Sequence, residues 1–171
     1  LSLELAFAGR NLPVVAITEG SLVKPLQSIS DALESYRRSG QPIRALHVVA
    51  HGQPGAISLG GEFVDRTDLL DYRAQLAEWG VERIVLWSCE VAQDPAFVAL
   101  LEEFTGASVL ASSQCLGMGE TLRGSGWSEM ESMVEALPFT LAIAMSSGQT
   151  SAYTEGASDT LLNQQITVDS S

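Results

Sequence analysis

Apolar positions in this chain follow two periodicities that alternate from residue 12 to residue 112. Residues 12–18, LPVVAIT, form a short β-branched run of the kind that makes a buried strand. The spacing then turns helical: Leu26, Ile29, Leu33 and Tyr36 share one face, Pro25 suits a first turn, and Gly40 and Pro42 stop the pattern. A second strand is expected over residues 43–50, ending at His51 and Gly52. Alternation around Gly60 and Gly61 predicts a small hairpin. Thr67 is expected to cap a helix that buries Leu69, Tyr72, Leu76 and Trp79 and stops at Gly80.

Residues 84–87 are continuously apolar, as in a strand covered on both faces, and they lead into Ser88 and Cys89. Asp94 followed by Pro95 predicts a capped helix with Phe97, Leu100, Leu101 and Phe104 as its stripe and Gly106 as its end. A strand over 107–111 follows. Strands and helices alternating through short loops predict an α/β fold: a mostly parallel sheet of about six strands with helices on both faces.

Beyond Ser112 the pattern dissolves. Residues 112–131 are rich in Gly and Ser and read as a long loop, after which residues 136–145 form a last apolar run. A domain over 1–145 and a polar acidic tail over 146–171 are therefore expected. The tail contains no Lys or Arg and few large apolar groups, so it cannot build a core of its own. Ile166 and Val168 alternate within 165–169, which suits an edge strand. Pairing with a sheet of this chain or of another copy would order it, making a homo-oligomer one expectation and a linker the other.

Composition narrows the classes. With 171 residues, 46% hydrophobic and 18% charged, the chain can build one sizeable core. No run approaches the roughly 20 apolar residues of a membrane helix. Nine Lys and Arg against 21 Asp and Glu give a net charge of −12, which repels phosphate backbones, so nucleic acid is not an expected partner. Two cysteines and two histidines are too few for a structural zinc site, and no cofactor is expected. The chain opens on Leu1, so any targeting signal is expected upstream.

In an open parallel sheet, functional groups gather outside the carboxyl ends of the strands. His51 and Cys89 both stand there. An imidazole that takes up a thiol proton converts cysteine into a competent nucleophile, the minimum for covalent catalysis. Gly52 permits close backbone approach, and its N–H with that of Cys89 would form an oxyanion hole. Simpler roles stand beside these: Cys89 as a buried core residue, and His51 as a satisfied polar group. His47 and His51 on one strand suggest a metal, but no third ligand follows at a diagnostic spacing. Cys115 also follows a strand end, and a bond to Cys89 would silence that thiol. No GxSxG elbow or phosphate-binding glycine loop occurs.

The blocks ALHVVAHG and IVLWSCEVA resemble the catalytic blocks of the caspase-like cysteine peptidases, in which one apolar strand ends in His-Gly and a later one ends in the nucleophilic Cys. Residues 10 to 135, through ALHVVAHGQPGAISLG, IVLWSCEVAQ and FTGASVLASS, more closely resemble a bacterial domain-of-unknown-function family, number 4347, found near the start of large secreted adhesins. The resemblance implies a caspase-like three-layer sandwich in a secreted or cell-surface protein. It implies His51 and Cys89 as catalytic residues, Gly52 and Cys89 as oxyanion donors, and a neutral substrate-facing region at Ser112, Ser113 and Gln114. Trp87 and Ser88 stand where caspases usually carry Gln-Ala, and Val91 where glycine is common. Two functions follow as expectations: a cysteine endopeptidase acting on a polypeptide or on its own chain, and a catalytically silent structural or adhesion module.

Overall fold

Period-two and period-3.6 segments emerge as strands and helices in chain order. The computed structural model describes residues 14–116 and 140–145. It contains β1 (Val14–Ile17), α1 (Pro25–Arg38), β2 (Ala45–Val49), β3 (His51–Gln53), β4 (Ala56–Leu59) and β5 (Glu62–Val64). There follow α2 (Arg66–Asp71), α3 (Arg73–Ala77), β6 (Arg83–Trp87), a 3-10 turn (Val91–Gln93), α4 (Pro95–Thr105), β7 (Ser108–Ala111) and β8 (Thr140–Met145). The expected long loop beyond residue 116, the tail and its edge strand over 165–169 lie outside the described residues.

Two sheets result. The larger has the order β1-β8-β2-β6-β7, and all its pairings are parallel. β3, β4 and β5 form a small antiparallel sheet whose β4–β5 turn is Gly60-Gly61, at φ of 60° and 82°. Positive φ at both central residues is the two-residue hairpin turn that glycine allows.

One face of the large sheet carries Leu46, Val48, Ile84, Leu86, Leu141 and Ile143. These join Leu26, Ile29, Leu69, Leu76, Phe97 and Leu101 of the helices in one core. On the opposite face His47, Val49, Val85, Trp87 and Ala142 are also buried. Burial on both faces accounts for the unbroken apolar runs of β2 and β6. The helices were expected on both faces; among the described residues they share the first face.

The segment expected as one helix capped by Thr67 differs in both respects. It is split at Tyr72 (φ −98°, ψ 8°), and its cap is Asp65, whose carboxylate accepts from the N–H groups of Thr67 (2.7 Å) and Asp68 (3.3 Å). Asp68 Oδ2 in turn accepts from the Asp65 N–H at 2.9 Å, closing a reciprocal capping box. These hydrogen bonds hold the Asp65 carboxyl below its ordinary pKa. Asp65→Ala is expected to lower the urea midpoint of unfolding clearly, and Thr67→Ala by much less. Urea denaturation of the two variants checks the assignment, which would fail if Thr67→Ala cost more.

Candidate functional site

The register of the large sheet sets the site. Val49 lies beside Trp87, and the Ala50 N–H donates to the Trp87 carbonyl at 3.3 Å. His51 and Cys89 each stand two residues beyond these adjacent strand ends, so the register brings both segments to one edge of the sheet. A Cβ added at Gly52 would stand 2.8 Å from both Ser88 Cβ and Val91 Cγ2, and closer still to the Cys89 carbonyl oxygen. The His-Gly segment is thus seated on the cysteine loop, at a contact only glycine permits.

The hairpin is fastened to the same loop a second time. The Gly55 N–H donates to the Val91 carbonyl at 3.2 Å, and Gly55, at φ 72°, faces the Asp94 carboxylate. Asp94 also caps α4 through the Ala96 N–H (3.1 Å) and pairs with Arg66 at 3.3 Å. His51 opens β3 opposite Ser58 and is exposed.

Cys89 is half-buried beneath the loop that follows β7. Glu90 adopts left-handed backbone (φ 60°, ψ 5°), which turns the chain sharply after the cysteine at a strain typical of functional turns. Three hydrogen bonds then lay residues 112–114 along the cysteine loop: Glu90 N–H to the Gln114 carbonyl (3.0 Å), Ala92 N–H to the Ser112 carbonyl (3.0 Å) and Gln93 Nε2 to the Ser113 carbonyl (2.9 Å). Cys89 Sγ accepts from the Leu116 N–H at 3.1 Å and stands 2.9 Å from Cys115 Sγ. Both cysteines are free thiols, Cys115 being exposed. Burial, then the contact with Cys115, push the Cys89 thiol up to about 11, while the Leu116 N–H pulls the other way. At neutral pH the thiol is therefore protonated in this arrangement.

The remaining expected site residues divide. Ser112 is 5% exposed and its hydroxyl is engaged in a turn, donating to the Gln114 carbonyl (3.1 Å) and accepting from the Gln114 N–H (2.9 Å). Ser113 is exposed. His47 and His51 prove to belong to different sheets, so one strand does not present them together. Buried His47 accepts from Trp87 Nε1 through Nδ1 at 3.0 Å, the two rings 6.3 Å apart and stacked. Burial, with Arg83 nearby, lowers its pKa to about 4. Among the described residues no three or more His, Cys, Asp or Glu gather as a metal site, and no helix is long and apolar enough to cross a membrane. Glu90, Gly55 and the Leu116 N–H belong to the site but went unnoticed in the sequence. Only Gly55, following Pro54, carried a local signal, that of a turn.

This is an α/β domain with a parallel sheet whose adjacent strand ends present a His-Gly pair and a cysteine. The chain belongs to the family described as Domain of unknown function (DUF4347), which matches residues 8–155. No curated protein and no solved structure matches it.

Proposed function

We propose that the domain is a caspase-like cysteine endopeptidase of a secreted or cell-surface protein, cleaving its own chain or another polypeptide. Cys89 Sγ attacks the scissile carbonyl, and His51 takes the thiol proton and returns it to the departing amine. The N–H groups of Gly52 and Cys89 hold the oxyanion, and water then hydrolyses the thioester. The observation that carries this reading is the seating of Gly52 on the Cys89 backbone, which joins the His-Gly and cysteine segments at the carboxyl edge of one parallel sheet. A thiol pushed up to about 11 makes this a resting arrangement. Displacing residues 113–116 would expose the sulfur to water and to His51, and lower its pKa.

Labelling of Cys89 by a thiol-reactive peptide electrophile tests the proposal. The reagent is expected to modify Cys89, faster as pH rises from 7 toward about 11 because only the thiolate reacts. His51→Ala is expected to slow labelling about 100-fold, the scale of a general base. Equal rates in the two proteins would remove His51 from the mechanism.

One observation favours a second reading, a catalytically silent adhesion or structural module whose acidic tail serves assembly: the resting thiol is protonated and covered. Failure of the electrophile to modify Cys89 in either protein would select it.

A further inference from the structure

We propose that Cys115 is a modification site for low-molecular-weight disulfides, and that its oxidation closes a Cys89–Cys115 bond that shuts the candidate nucleophile. The bond follows from geometry alone; that it regulates catalysis rests on the peptidase reading.

The two sulfurs are 2.9 Å apart, so less than about 1 Å of movement separates them from the roughly 2.05 Å of a disulfide. Neither loop must refold for that movement. Hydrogen bonds from Glu90, Ala92 and Gln93 to the carbonyls of Gln114, Ser112 and Ser113 already hold the two segments side by side. Access is unequal: Cys115 is exposed and Cys89 half-buried, so a reagent in solution meets Cys115 first.

The chemistry follows from that order. The Cys115 thiolate attacks a small disulfide RSSR, forming Cys115–S–S–R and releasing one RS⁻, which takes up the proton that Cys115 lost. Cys89 then loses its proton and attacks Cys115 Sγ; the Cys89–Cys115 bond forms, the bond to R breaks, and the second RS⁻ takes the Cys89 proton. Two thiols are oxidised and one RSSR is reduced to two RSH. The Leu116 N–H, 3.1 Å from Cys89 Sγ, stabilises the thiolate that the second step requires. The first step needs only the exposed thiol, which explains why the less accessible cysteine need not meet the reagent at all.

The experiment treats the full chain with oxidised glutathione and follows it by intact mass and peptide mapping. The parent is expected to yield a linked Cys89–Cys115 peptide with no glutathione retained, and to lose Cys89 labelling by the peptide electrophile until dithiothreitol restores it. Cys89→Ser should keep glutathione on Cys115, because the resolving thiol is missing. Cys115→Ser should form no internal bond and retain Cys89 labelling after oxidant. Glutathione that persists on Cys115 of the parent without a linked peptide, or that enters at Cys89 in Cys115→Ser as fast as at Cys115 in Cys89→Ser, would overturn the proposal. The two readings fail separately. A linked peptide in a protein whose reduced Cys89 never takes the electrophile keeps the bond and removes the peptidase, whereas labelling undiminished by oxidant removes the bond and keeps the peptidase.

Discussion

Gly52→Ala is expected to lower stability by about 3 kcal/mol and to slow Cys89 labelling about 100-fold. The new methyl group would fall 2.8 Å from Ser88 Cβ and Val91 Cγ2 and overlap the Cys89 carbonyl oxygen. Ser88 and Val91 are both fully buried, and the carbonyl is backbone, so no flexible side chain can swing aside. The His-Gly segment must lift from the cysteine loop, which in the proposed mechanism moves His51 away from the strand end that carries Cys89. A displacement of about 1 Å at a reacting pair costs on the order of 100-fold in rate. Gly40→Ala supplies the contrast. Gly40 has φ 79° and nothing within 4 Å of an added Cβ, so only the left-handed backbone penalises alanine there, by about 1 kcal/mol. Urea midpoints and labelling rates of both variants decide the matter. A Gly52→Ala protein that folds and labels like the parent would show that the two segments do not hold each other in place.

His47 is expected to make the domain acid-sensitive above the range where most carboxylates titrate. Its imidazole is buried in the sheet, where charge is poorly solvated and Arg83 opposes it, and Nδ1 already accepts the Trp87 indole N–H. Protonation would set two donors against each other. The folded-state pKa lies near 4, below the 6.5 of the unfolded chain, so the folded state binds fewer protons. His47 therefore contributes stability that is fully present above pH 6.5 and is lost as pH falls through about 4. The separation of those values corresponds to about 3 kcal/mol. His47→Gln offers an amide oxygen to Trp87 and cannot titrate, so its stability should fall much less between pH 6.5 and 4. Urea denaturation across that range, read as parent minus variant, cancels the carboxylates common to both. Parallel profiles would show that His47 is not the group responsible.

Much of the site was legible because its residues end apolar runs. β2 and β6 are visible as unbroken hydrophobic segments, and a parallel sheet requires whatever follows them to meet at one edge, which singled out His51 and Cys89. Asp94-Pro95 and Gly106 marked the ends of α4 for equally local reasons: an acceptor for free N–H groups, a preset φ, and a residue tolerant of φ 70°. The cap before α2 was not legible in the same way, since Thr67 was the cap expected from the sequence. Asp65 prevails over Thr67 because its extended backbone, φ −117° and ψ −170°, aims the carboxylate at the helix N–H groups.

The sequence by itself determined most element types, their approximate limits and the two strand ends that lead into His51 and Cys89, since these depend on side-chain period and backbone preference within a few residues. Tertiary structure alone decided that β8 enters between β1 and β2, that the described helices share one face, and that His47 is bound to Trp87 rather than paired with His51. It likewise decided that Cys115 touches Cys89. That contact joins residues 26 positions apart through loops set by β6 and β7, and it is governed by strand pairing and close packing rather than by the residues adjacent to either thiol. The state of the thiol follows from the same cause: an isolated cysteine titrates near 8.5, and burial against a second sulfur moves Cys89 to about 11.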